Sequence, residues 1–181
     1  MNTARAAKLS PAVVGILIAL IAFVAYVLTL SPVFYPGASS QHVAQQLGLT
    51  PFPALTNGFW GWIVFVVSAL PIASLPVRLN AFSALCAAAA LYVFFRMVLD
   101  LRLGKRRDPG EQRTPDGPVS LLAACVATVY LAACIPFWIV ATRAHPLSFD
   151  LLLGLLSFRM VQWAGGRRNN AGYYLAALVY G

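Results

Sequence analysis

The chain's 181 residues are 60% hydrophobic and only 10% charged, with a mean hydropathy of +0.77, whereas a soluble domain is roughly 45–50% apolar and about 25% charged. That excludes a soluble fold and points to an integral membrane protein, with membrane lipid as its first partner. Thirteen Lys and Arg against five acids leave a net charge of +8, but the basic residues lie in short runs between apolar segments, where retention on the cytoplasmic side explains them. Nucleic-acid binding is not the reading they support.

The N-terminal "MNTARAAKLS" followed by "PAVVGILIALIAFVAYVLTL" imitates a signal peptide. Its apolar run exceeds the roughly 7–15 residues of a signal core and no A-x-A site closes it, so an uncleaved first span from Pro11 to Leu30 is expected. A long polar-to-mixed loop then runs from Ser31 to Leu79, opening with "SPVFYPGASSQHVAQQLG". Residues Ser39 to Leu47 are expected to form a short helix there, with Arg78 near its loop.

Within that loop, Phe59 to Ala73 is apolar but short for a crossing, and it is broken by Pro71 and bounded by "PFPALTNG". Charge decides how it runs. If it does not cross, eleven of the thirteen basic residues fall on one side, with Arg96 and Arg159 snorkelling to it; if it does cross, only Arg5, Lys8, Arg78 and Arg143 remain inside. A re-entrant or interfacial helix is therefore expected, with Trp60 and Trp62 at headgroup level.

Three further spans are expected at Asn80 to Leu99, Val119 to Ala141 and Leu147 to Trp163, with Trp138 and Trp163 near their ends. They are separated by the basic "KRRDPGEQRTPDGP" loop and by the short turn "TRAHPLS". The last run, from Ala171 to Gly181, has eleven residues where a span needs about 20, so the chain reads as the N-terminal portion of a longer membrane domain. The alanine-rich "SALCAAAAL" offers a face on which helices approach closely, and Cys86, Cys125 and Cys134 are read as packing residues.

The fold class expected is thus all-α, a polytopic transmembrane bundle with the N-terminus cytoplasmic. No P-loop, GxSxG, HExxH or GxGxxG occurs, and no paired carboxylates stand in the external segments. No cofactor is called, and although a divalent metal is compatible, no ligand set is visible. The external chemistry reduces to His42 and His145, expected to face each other across the loops, and to Arg78 and Arg143, the only external cations. An imidazole can act as a general base near neutral pH. A guanidinium is suited to phosphate. Each also has a plain structural alternative: a polar helix face for His42, a turn cap before Pro146 for His145, and headgroup contact for the arginines. Asn80 and Asp150 stand near the outer ends of spans, Asp150 within reach of a local pair with Arg143.

The order of "TLSPVFYPGASSQ", "TPFPALTN", "VRLNAFSAL" and "AHPLSFD" along the chain resembles the GT-C membrane glycosyltransferases. The resemblance is greatest to the bacterial multi-span family related to protein O-mannosyltransferases, in which "TLAPT", "GDSGE", "HPPGYPL", "RVNLLSAL" and "AEVYALN" occupy these places. It implies a bacterial inner-membrane protein that transfers a sugar from a polyprenyl-phosphate donor, with a first-loop acid as base or as organiser of phosphate and metal. Here Ala38 and Gln41 stand where the two first-loop acids would be, and His145 where the later acid would be. Two readings stay open: a transferase that uses other groups, and a non-catalytic envelope protein that keeps the fold as a binding or assembly module.

Overall fold

The computed structural model describes residues 10–34, 38–50, 58–100, 118–167 and 171–180. They form eight α-helices and no strand: α1 Pro11–Leu28, α2 Ala38–Gln46, α3 Gly58–Ser68, α4 Leu75–Asp100, α5 Pro118–Ala133, α6 Ile135–Ala141, α7 Pro146–Arg167 and α8 Ala171–Tyr180. Among them α1, α4 and α7 are long and apolar enough to cross a membrane, and α5 with α6 makes a fourth crossing if the bent pair is one span. The chain is an all-helical membrane protein. Its outward faces agree, since residues such as Ile21, Leu28, Val119 and Tyr130 are largely exposed, an apolar surface suited to lipid.

Local chemistry sets the helix ends. Ser10 caps α1 by accepting the Val13 N–H at 3.4 Å, and Pro11 occupies the first turn, where its missing N–H costs nothing. The start of α4 lies at Leu75, upstream of the expected Asn80, because Ser74 opens the helix through its carbonyl, which accepts the Arg78 N–H at 3.1 Å, and Pro76 fits its first turn. Arg78 therefore sits in the first turn of a 26-residue helix rather than in the loop before it, and Asn80 follows in the next turn. Gly48, at φ 69°, ends α2 in the left-handed region, with the Leu49 N–H returning to the Ala44 carbonyl at 2.9 Å.

The expected third span is not one straight helix. It breaks at Cys134 and α6 leaves α5 at 67°. Pro136 has no N–H, so the Ala132 carbonyl four residues earlier loses its helical donor; the Tyr26 hydroxyl of α1 supplies one instead, at 2.8 Å.

Helix α1 runs antiparallel to α4. Near the start of α4, Asn80 meets the exit of α1; near its other end, Phe95 covers Gly15, where a Cβ would fall 2.5 Å from the ring. The alanine face of α4 (Ala84, Ala87 and Leu91) packs on Ala22 and Tyr26 of α1 and on Phe137 and Ala141 of α6. Small residues let these helix axes approach closely, as sequence composition implied. Helix α7 runs parallel to α4, with Phe82 beside Phe149 at one end and Asp100 paired with Arg159 at the other. Helix α8 returns along α7, and Gly172 rests on Ala164 so closely that a Cβ would lie 2.6 Å away.

Helix α3 stays at one end of the bundle. Trp60 near its start packs on Phe82, and the carbonyls of Val67 and Ser68 near its close accept from Arg78, so both ends of α3 meet the first turns of α4. The expectation for Trp60 needs correction: it is 0% exposed, in a core with Val43, Val64, Val67, Leu79 and Phe149. Trp62 instead faces outward, as do Phe59 and Phe65. The reason is helical spacing, because 60, 64 and 67 share one face and 59, 62 and 65 another.

Candidate functional site

The site forms at the end of the bundle where α2, the start of α4 and the α6–α7 turn converge. Asn80 organises it. Its side chain is 2% exposed, donates through Nδ2 to the Ser31 carbonyl at 2.8 Å, and accepts the Ala144 N–H through Oδ1 at 2.6 Å. One amide thereby ties the exit of α1 and the α6–α7 turn to α4. Ser83 lies three residues on, on the same face, and accepts the His145 N–H at 3.4 Å. Ser148 closes the turn by donating to the Val140 carbonyl at 2.9 Å.

His145 caps α7. Its Nδ1 accepts the Leu147 N–H at 3.2 Å across Pro146, which leaves the proton of the neutral ring on Nε2. Burial lowers its proton affinity below the ordinary value of 6.5, the nearby His42 lowers it further, and Asp150 opposes both. The ring is therefore neutral at pH 7. Here the structural alternative foreseen for His145 is realised together with its place in the cluster.

His42 arrives on α2, which is pinned by buried Val43 and Ser39 and by Gly61 of α3, where a Cβ would collide with Gln46 Oε1. The two imidazoles meet edge to face, centroids 5.5 Å apart at 81°. His42 Nδ1 is buried with no hydrogen-bond partner among the described residues. A buried, unsatisfied ring nitrogen carries a desolvation cost that a ligand hydroxyl or water would remove.

Arg78 is partly committed to structure. Its Nη1 donates to the carbonyls of Val67 at 3.1 Å, Ser68 at 3.0 Å and Leu70, closing the C-terminal end of α3 where bare carbonyls collect. Its Nε is buried and has no partner among the described residues. Arg143 lies half-buried in the α6–α7 turn. Ala38 opens α2, and Gln41, the residue before His42, is exposed. Among the described residues no three His, Cys, Asp or Glu side chains converge as a metal site. All of "KRRDPGEQRTPDGP" but Pro118, all of "TPFPALTN" but Thr50, and "YPG" lie outside the described residues.

Ser83 and Tyr26 were not singled out in the sequence. The signal was present for Ser83, a polar residue one turn beyond Asn80 inside an apolar helix, a placement that marks interhelical bonding. For Tyr26 it was the proline at 136, which frees a carbonyl that some donor must meet.

Residues 51–181 match the family described as the protein O-mannosyl-transferase TMEM260 N-terminal domain. The chain belongs to this family. The TMEM260 match includes Arg78, Asn80, Ser83, Arg143 and His145, and leaves α1, α2 and His42 upstream of it. Searches of curated proteins and of solved structures return no match.

Proposed function

We propose that this chain is the membrane part of a GT-C-type protein O-mannosyltransferase of the bacterial inner membrane, with its N-terminus cytoplasmic and the histidine end outside. The substrate would be a polyprenyl-phosphate-linked sugar, and the acceptor a hydroxyl on a polypeptide. The observation that carries this reading is the contact of His42 with His145, at a centroid distance of 5.5 Å, in a chain of an O-mannosyltransferase family; by the resemblance read from the sequence, Ala38 stands where a first-loop acid would be.

The chemistry needs a base, because the acceptor oxygen must lose its proton as it bonds to the sugar's anomeric carbon and the bond to phosphate breaks. His42 is suited to take that proton: its Nδ1 is buried and unpartnered, and a neutral His145 adds no competing charge. Arg78 through its Nε and Arg143 would stabilise the departing lipid phosphate. The exposed apolar face of α3 (Phe59, Trp62 and Phe65) would lie in the interface and hold the site at the level of the donor's headgroup.

Sugar transfer from polyprenyl-phosphate mannose, measured in membranes carrying the full-length protein, tests the proposal. Wild-type activity that falls about 100-fold or more in His42→Ala supports the histidine mechanism. An inactive wild type that gains activity as Ala38→Asp would overturn it in favour of the non-catalytic reading.

A further inference from the structure

The end of the bundle opposite the histidines holds a second charged feature. Helices α4 and α7 border an open cleft of about 260 Å³ lined by Tyr92, Val93, Arg96 and Arg159. Arg159 pairs with Asp100 and reaches Gln162 Oε1 at 3.4 Å. Among the described residues the only other acid is Asp150, in the first turns of α7 near the histidines. Arg96 thus has no carboxylate partner among them, and the cluster of Arg96, Arg159 and Asp100 carries a net charge of +1.

Depth narrows the ligand. The sixteen helical steps from Asn80 to Arg96 on α4 span about 24 Å at the helical rise, most of the roughly 30 Å of a hydrocarbon core. That leaves the cleft within snorkelling reach of the headgroups of the opposite leaflet, where a guanidinium extends along its apolar stem toward phosphate and where tyrosine is enriched. Phe158 and Val161, exposed beside Arg159, leave apolar surface for acyl chains.

We propose that this cleft binds the phosphodiester headgroup of an anionic phospholipid. The Arg96 guanidinium donates to the phosphate oxygens, and the Tyr92 hydroxyl is placed to add a third donor. A net +1 matches the single negative charge of a phosphodiester, whereas a zwitterionic lipid would bring an ammonium group against the same arginines. Bound there, the lipid would hold α4 to α7 at the end away from Asn80 and His145. The inference does not depend on catalysis.

Native mass spectrometry of the full chain, with phosphatidylglycerol and phosphatidylcholine of identical acyl chains, tests it. Wild type is expected to retain phosphatidylglycerol about tenfold more strongly, Arg96→Gln to lose that preference, and Arg96→Lys to keep part of it. Folding of each variant is checked by circular dichroism, and the lysine variant carries the test if the glutamine variant misfolds. Glycerol 1-phosphate forms the water-soluble arm and should not displace the lipid at equal concentration. Equal retention of both lipids by wild type, an unchanged preference in Arg96→Gln, or full displacement by glycerol 1-phosphate would overturn the proposal.

Discussion

The Tyr26 hydroxyl donates to the Ala132 carbonyl at 2.8 Å, across 106 residues of sequence. It occupies the acceptor that Pro136 frees by having no N–H, and Trp138 packs edge-on against the same ring, centroids 5.0 Å apart. The bend between α5 and α6 is thus completed by α1. Replacing Tyr26 with Phe should lower stability by about 0.6–1.7 kcal/mol, the range for hydrogen bonds between membrane helices. Adding Pro136→Ala should reduce that loss, because the restored N–H can return to Ala132. A double-mutant cycle of unfolding in micelles measures the coupling, and strict additivity would refute the account.

Asn80 makes bonds to two separate segments, so its substitutions are expected to separate. Asn80→Leu removes both and leaves the buried Ala144 N–H and Ser31 carbonyl unmet, a loss of roughly 2–4 kcal/mol. Asn80→Asp retains an acceptor for Ala144 and should lose less. Thermal unfolding of the two variants, with a probe of the His42–His145 contact, checks the ranking.

His145 gives stability a pH dependence of known sign. Its proton affinity is lowered in the folded chain from the ordinary 6.5, so the unfolded chain binds the proton more readily. The contribution is full above pH 6.5 and is lost as pH falls from there through the lower folded value. His145→Asn keeps a side chain able to cap α7 but removes the titration. Its stability between pH 7 and 5 should fall less steeply than that of wild type, and parallel slopes would refute the assignment.

Two neighbouring tryptophans should behave as opposites. Trp60→Ala empties a core position and is expected to cost about 3–5 kcal/mol. Trp62, 71% exposed, should leave the fold stable when changed to Ala while weakening membrane association of the α3 face. Unfolding and liposome flotation separate the effects.

Ala73 holds φ at 54° in the α3–α4 connection, a region that costs a residue with a Cβ about 1–2 kcal/mol. Ala73→Gly should be neutral or slightly stabilising once glycine's extra unfolded freedom is counted, and Ala73→Val clearly destabilising. Denaturation midpoints in the order Gly, Ala, Val verify this.

Much of this molecule was legible before any coordinates. Long unbroken apolar runs leave the backbone no alternative to internal hydrogen bonding in lipid, so helices α1, α4 and α7 follow from composition and length. The short helix around His42 followed from its polar, glycine-terminated run, and the pairing of His42 with His145 from the opposed loops that carry them. The TMEM260 relationship bears out the O-mannosyltransferase resemblance read from "VRLNAFSAL" and its neighbours.

Sequence by itself therefore determined the class of protein, the apolar segments and the family to which they belong, because these depend on local composition and spacing. Tertiary structure alone decided that Pro136 bends the third apolar run around Tyr26, that Trp60 turns inward, and that Arg78 spends one nitrogen closing α3. It also made Asn80 a tie between Ser31 and Ala144, 64 residues further along the chain. Such choices turn on which distant donor reaches a freed acceptor and which helix face finds a neighbour, and neither is written in any local stretch of residues.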